Sequence, residues 1–278
     1  MKHRYASDNH SHSACSFDGE SPMSAMCERA LELGLYYYTV TDHCECNEYK
    51  YASDYKGIGY SGVVRKAYGE MEQCREQFPA LRLLKGIELG QPVQNPEAAR
   101  DALTGREYDC VIGSVHNIRG EKDFFHLGEE PMNQERMDSL LNRYFDEILE
   151  MLEWGGFDTL AHITYPLRYI APPGSTPSFD RYGSRVDAVL EALIRAGKGL
   201  ELNTSRLLRK DAPRLPDAEL FARYRELGGR LVTIGADAHC TENLAQGIDE
   251  GLDLLRQAGF TEFAVFVGRS PVMLPICD

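Results

Sequence analysis
The sequence predicts an α/β fold in which seven strand-helix units build a distorted, TIM-like (β/α) barrel. Three observations carry this expectation. Short β-branched or aromatic runs alternate with longer stretches of helical periodicity, the pattern of βα units around a parallel sheet. Seven such units are well marked, which favours a closed barrel over an open doubly wound sheet. At 278 residues with 43% hydrophobic content, the chain can bury one large core, so residues 1–278 read as a single domain.

The strand-like runs are RYASDNH near 4–10, YYYTVTDH at 36–43, LRLLKGIEL at 81–89, YDCVIGSVH at 108–116, FDTLAHI at 157–163, KGLELNT at 198–204 and GRLVTIGADAH at 229–239. A further apolar run, FAVFV, lies at 263–267. Between them, SPMSAMCERALELGL opens on Ser-Pro and closes at Gly34, a start and a stop for a helix. MNQERMDSLLNRYFDEILEMLEWGG and RVDAVLEALIRAGKG place apolar residues three and four apart and end in glycine. The segments near 117–135 and 164–185 are polar, Pro/Gly-rich and long for loops, a property often tied to function.

Charge narrows the partners. With 30 Lys+Arg against 43 Asp+Glu, the net charge is −13, and such a field repels long nucleic acids and anionic membrane surfaces. A small phosphorylated substrate in a local basic pocket remains compatible. No run reaches the ~18 apolar residues of a membrane span, and the first residues lack the apolar core of a signal peptide. The eight cysteines are scattered rather than arranged as a disulfide framework, so a cytoplasmic protein with reduced thiols is expected. Cys44 and Cys46 are spaced C-x-C without a second pair at zinc-site distance, and read as buried thiols.

The metal-binding residue types fall in one kind of place. His10 and His12 close the first predicted strand, Asp42 and His43 the second, Glu88 the third, His116 the fourth, His162 the fifth, and Asp237 and His239 the seventh. Parallel strands of a barrel converge at their C-terminal ends, where such barrels carry their active sites. Residues two apart on a strand share a side, so His10 with His12, and Asp237 with His239 if the strand runs that far, can grip one ion. One histidine at a strand end is ordinarily a hydrogen-bonded core residue. Six of the eight histidines at such ends, together with carboxylates, would cost several kcal/mol per uncompensated charge. Cations remove that cost. Imidazole plus carboxylate without thiolate suits zinc, iron or manganese, and nine candidate ligands suit two or three divalent ions. Such a centre activates a bridging water and stabilises phosphoryl oxygens during in-line attack, so phosphate ester hydrolysis is the expected chemistry.

The ordered motifs HSH, TDH, GIE, GSVH, AHI and GADAH over residues 10–239 resemble the PHP (polymerase and histidinol phosphatase) superfamily. The resemblance implies a seven-stranded barrel with a trinuclear centre. Carried over, His10, His12, Glu88 and Asp237 hold one ion, Asp18, His43 and His239 a second, and His116 and His162 a third, with Glu88 bridging. Asp42 is expected to orient a ligand histidine in support of catalysis. TDHCE, GSVH and ELNTSRL most resemble the stand-alone histidinol-phosphate phosphatases. The resemblance therefore implies hydrolysis of L-histidinol phosphate, with a phosphodiesterase or phosphatase acting on nucleotides or another small phosphoester as the alternative. Arg168 and Arg206 are candidates for phosphate, since a guanidinium fork matches its oxygens. Asn203 and Ser205 end the ligand-free sixth strand and are expected to meet substrate, and Glu45 to meet an ammonium group. Asn117 departs from the apolar residue that often follows GSVH in those phosphatases.

Overall fold
The computed structural model describes residues 1–47, 54–55, 58–171, 177–208, 215–216 and 218–277. The element order is α1 (Met23–Leu33), β1 (Tyr38–Val40), β2 (His43–Glu45), β3 (Asp54–Tyr55), β4 (Ile58–Gly59), α2 (Tyr60–Gln77), β5 (Leu83–Gly90), α3 (Pro96–Leu103) and β6 (Cys110–Ser114). It continues α4 (Phe124–Leu127), α5 (Gln134–Trp154), β7 (Thr159–Leu160), α6 (Gly183–Arg195), β8 (Gly199–Asn203), α7 (Ala218–Glu226), β9 (Val232–Gly235), α8 (Ile248–Gln257), β10 (Glu262–Val267) and β11 (Ser270–Pro275).

Seven of these strands form one curled parallel sheet in the order β1-β5-β6-β7-β8-β9, with β2 also pairing β5. It has the form of a half-barrel with helices packed against it. The strand expected near 4–10 is not regular. Residues 8–12 instead run between β1 and the end of β9, with isolated parallel bridges at Asp8 to Tyr38 and Ser11 to Ala238. Backbone bonds join this segment to both neighbours: Thr39 donates to Asp8 at 2.9 Å, and Asp237 donates to His10 at 2.8 Å. The Asp8 carboxylate accepts the amides of Ala236 and Ala245, each at 2.9 Å, taking the part of missing ladder partners.

Two further expectations change. The run 36–43 breaks into β1 and β2, leaving Thr41 and Asp42 between them. The run at 263–267 does not join the parallel sheet: β10 pairs antiparallel with β11, and its Phe266 packs on Cys110, Ile112 and Ala161.

The expected helices form with their signals in use. Gly34 ends α1 at φ 70° and Gly155 ends α5 at φ 70°, left-handed positions that favour glycine. Asn133 starts α5 by accepting the Arg136 amide at 2.8 Å. The inner face of α5 buries Leu140, Leu141, Phe145, Ile148 and Met151 among others. Each such side chain contributes about 1.5–3 kcal/mol relative to exposure, which holds the helix in the core beneath the site.

Candidate metal centre
Register brings the first ligands together. In the parallel pairing of β2 with β5, His43 lies opposite Glu88. Glu88 is wholly buried at the centre of a strand whose eight residues are all buried, a position no carboxylate occupies without compensation. His116 and His162 each follow their strands by two residues, and His10 and His12 come from the 8–12 segment. The path that brings in Asp237 differs from the expected one. β9 stops at Gly235, and Asp237 adopts φ 55°, a left-handed conformation that aspartate tolerates better than most residues. Two-residue alternation therefore does not reach His239. The turn does the positioning instead. Gly235 has no room for a side chain because His10 packs directly on it.

Glu88 is the hub. Its Oε1 lies 3.1 Å from His162 Nε2 and 3.2 Å from His116 Nε2, while Oε2 lies 2.9 Å from His43 Nδ1, 3.3 Å from His10 Nε2 and 3.5 Å from His12 Nε2. One carboxylate thus faces two sets of imidazoles with different oxygens. Four groups have ligand atoms within 4.8 Å of one another: His10, His12 and Asp237; His12, His43 and His239; His10, Glu88 and His162; His43, Glu88 and His116. Asp18, the most exposed of the candidates, reaches in from outside, 3.1 Å from His239 Nε2 and 3.7 Å from His43 Nε2.

These groups could hold metal ions, and buried atoms argue that they suit them. His10 Nε2, His43 Nδ1 and Glu88 Oε2 are sequestered from water without a partner in hydrogen-bond geometry. They sit within ion-pair distance of one another but point at shared space. Divalent cations could satisfy several such atoms at once.

The electrostatics tell the same story. Burial works against the charge of Glu88, but His10, His43 and His116 outweigh it and hold the carboxyl well below its usual range. Asp237 is likewise held low against burial, by His10 and His12 among others. Burial disfavours protonated His10, yet Glu201, Glu88 and Asp237 raise it well above the ordinary value. His12 goes the other way, to about 3, through burial and the neighbouring His43 and His239. His12 stacks between those two rings, at 4.1 and 4.3 Å. Concentrated carboxylate charge here favours positive charge, which the raised histidines carry and metal ions could supply.

The remaining expected residues fall into place less simply. Glu45 does not face open space: it lies 2.9 Å from His116 Nδ1 and 3.4 Å from His43 Nδ1, its carboxylate folded over Gly90. Burial opposes its charge, but His116 holds it down to about 2. Asp42 accepts from Ser13 N at 2.7 Å, Ser13 Oγ at 2.8 Å and Ser16 Oγ at 2.8 Å. Its carboxylate reaches the ligands through Ser16, which accepts the His43 amide at 3.0 Å and lies 3.5 Å from His12 Nδ1, and its backbone carbonyl accepts the Glu88 amide at 3.3 Å. Asn203 is used up inside the site, donating to Asp237 Oδ2 at 3.1 Å and accepting from Arg168 Nη2 at 3.0 Å. Ser205 donates to Asn203 Oδ1 at 2.6 Å. Arg168 is buried with Nη1 3.7 Å from Asp237 Oδ2, whereas Arg206 stands over the Tyr169 ring at 5.8 Å. Asn117 accepts from Gln91 Nε2 at 2.7 Å and so ties the chain after His116 to the end of β5.

Sequence reasoning missed Glu201. Its Oε1 lies 2.5 Å from His10 Nδ1 and its Oε2 accepts the His162 amide at 2.8 Å. The signal was present in GLELN, where Leu200 and Leu202 alternate with Glu201 and Asn203 on a buried strand.

A family model for the PHP domain matches residues 8–205. The chain belongs to the PHP domain family. In this PHP chain, the ligand candidates from His10 to His162 fall inside the match, and Asp237 and His239 join them through space. A curated protein of Thermotoga maritima named "Probable histidinol-phosphatase" is 27% identical over 258 residues, 93% of this chain and 94% of that protein. A histidinol-phosphatase of Lactococcus lactis is 25% identical over 265 residues, 94% of each. The PHP chain also resembles the crystal structure of histidinol phosphate phosphatase from Lactococcus lactis, complexed with zinc, L-histidinol and phosphate. That likeness has a TM-score of 0.82 at 23% identity over 96% of this chain and 99% of that one. No helix among the described residues is long and apolar enough to cross a membrane.

Proposed function
We propose that this chain is a metal-dependent phosphomonoesterase that hydrolyses L-histidinol phosphate to L-histidinol and phosphate. The observation that carries the reading is the single rim at which six imidazoles, Glu88 and Asp237 meet with Arg168 alongside. The names of its relatives supply the substrate.

Under this reading His10, His12 and Asp237 hold one ion, and Asp18, His43 and His239 a second. His116 and His162 would hold a third, with Glu88 within reach of both sets of imidazoles. Zinc, iron and manganese all match the donor set. When bound, such ions supply Lewis acidity toward phosphoryl oxygens and a water that ionises at neutral pH. The protein supplies the rest. Glu201 fixes the His10 ring so that Nε2 faces the centre, and Glu45 does the same for His116. Arg168, held by Asn203 and Asp237, presents its guanidinium beside the ligand set, where it can bind a phosphate oxygen and steady developing charge. Arg206, whose guanidinium stands over the Tyr169 ring, is the second candidate for phosphate.

The test removes the ions and the hub separately. Chelator treatment abolishes turnover of L-histidinol phosphate and added divalent metal restores it. Glu88→Gln lowers kcat/KM by about three orders of magnitude, the several kcal/mol that ion-assisted chemistry contributes. Full activity after rigorous metal removal defeats the proposal. Preference for nucleoside monophosphates or a dinucleotide over L-histidinol phosphate, in a side-by-side panel, overturns the substrate.

A further inference from the structure
The proposed substrate carries a phosphate, a primary ammonium and an imidazole, and among the described residues the carboxylates at the centre leave Asp123 as the partner for the ammonium. Glu45, Glu88, Glu201 and Asp237 are engaged with histidines, Asp42 with Ser13 and Ser16, and Asp18 with His239. Asp123 is different. It lies in the long loop after His116, and the chain folds back there so that the Phe124 amide donates to the His116 carbonyl at 3.0 Å. Its Oδ1 accepts the Phe125 amide and the Tyr165 hydroxyl, each at 2.8 Å. Asp123 is partly exposed, and its Oδ1 is fixed while Oδ2 has no donor among the described residues.

Tyr165 sets where that oxygen sits. Its ring centroid is 5.0 Å from the His116 ring, 5.1 Å from the His162 ring and 5.5 Å from the Arg168 guanidinium carbon. One aromatic ring therefore separates the candidate phosphate-binding cation from a carboxylate anchored on the same ring's hydroxyl. A substrate whose ammonium lies two carbons from its phosphate ester oxygen presents its opposite charges over just such a short span.

We infer that Asp123, oriented by Tyr165, recognises the ammonium group of an aminoalkyl phosphate and so sets which phosphomonoesters this site accepts. The inference rests on the phosphomonoesterase reading and names the part of the substrate that reading leaves unassigned. Asp123 touches no reacting atom: it is a specificity residue, and Tyr165 positions it.

The test uses the metal-loaded enzyme and matched pairs of monoesters: L-histidinol phosphate against its deamino analogue, and phosphoethanolamine against ethyl phosphate. Asp123→Asn keeps an oxygen for the Phe125 amide and the Tyr165 hydroxyl but removes the charge. It should lower kcat/KM for the amine-bearing member of each pair by about ten- to a hundredfold, mostly through KM, and leave the amine-free member and the metal content unchanged. Asp123→Glu should restore part of the amine preference, and Tyr165→Phe should weaken it in the same direction as Asp123→Asn. An equal loss on both members of a pair, or no loss on either, overturns the inference. If the wild-type enzyme ignores L-histidinol phosphate, the substrate proposed above fails, while the ratio within the ethanolamine pair still reads Asp123.

Discussion

Glu201 Oε1 sits 2.5 Å from His10 Nδ1, and the opposite ring nitrogen of His10 faces Glu88 and Asp237. A carboxylate on one side of an imidazole fixes its tautomer and increases the basicity of the other nitrogen. Glu201→Gln keeps the shape and removes the charge. Metal affinity, measured by competition with a chromogenic chelator, should fall roughly 10- to 100-fold. An unchanged affinity would mean that His10 is oriented by packing alone.

That contact also shows what a sequence can and cannot reveal. The residues that close strands were legible because strand ends converge, and a histidine or acid there stands out against apolar runs. The ordered motifs carried the rest of the ligand set. Glu201 lies mid-strand and acts on His10, 191 residues away, so its partner is visible only once β8 is set beside the 8–12 segment. The first strand failed as a prediction for a related reason. Asp8 replaces ladder partners with side-chain bonds to Ala236 and Ala245, and no local pattern announces that. Glu45 was expected to meet substrate because it follows His43, and Asn203 because the sixth strand supplies no metal ligand. Their side chains are instead committed to His116 and to Asp237 and Arg168, contacts set by tertiary register.

Metal removal should depend on pH in a definite direction. In metal-stripped protein burial disfavours the charged imidazoles, but neighbouring carboxylates raise His10, His43 and His116 well above the ordinary 6.5. A histidine raised in the folded state adds stability that is complete below its unfolded pKa and lost as pH climbs through the folded one. Metal takes the same nitrogens and binds better as they deprotonate. The gain in Tm on adding zinc should therefore be small near pH 6 and grow toward about pH 8.5. Paired thermal melts with and without zinc check this, and a gain that grows toward acid would contradict it.

Gly90 gives a test through packing. The Glu45 carboxylate lies where a side chain at residue 90 would be, at the end of β5. Gly90→Ala should push Glu45 off His116 and cost about 1–3 kcal/mol of stability by overpacking. Denaturant titration reads the stability. Metal content should fall with it, since His116 loses the partner at 2.9 Å that orients its ring. Alanine tolerated without change in either quantity would show that Glu45 has room elsewhere.

Arg168 is buried against Tyr165, with Nη2 3.0 Å from Asn203 Oδ1 and Nη1 3.7 Å from Asp237 Oδ2. Its planar fork can keep these contacts with one edge and offer the other to a phosphate oxygen, which a lysine ammonium cannot do. Arg168→Lys should raise KM for a phosphomonoester by roughly tenfold to a hundredfold, the worth of a lost charge-assisted contact. The inhibition constant of inorganic phosphate should rise in parallel, because phosphate alone carries the group that Arg168 is proposed to bind. Metal content should stay at the wild-type level, since no ligand is removed. Unchanged KM and phosphate inhibition would transfer the phosphate-binding role to Arg206, and a loss of bound metal would make Arg168 a support for Asp237 instead.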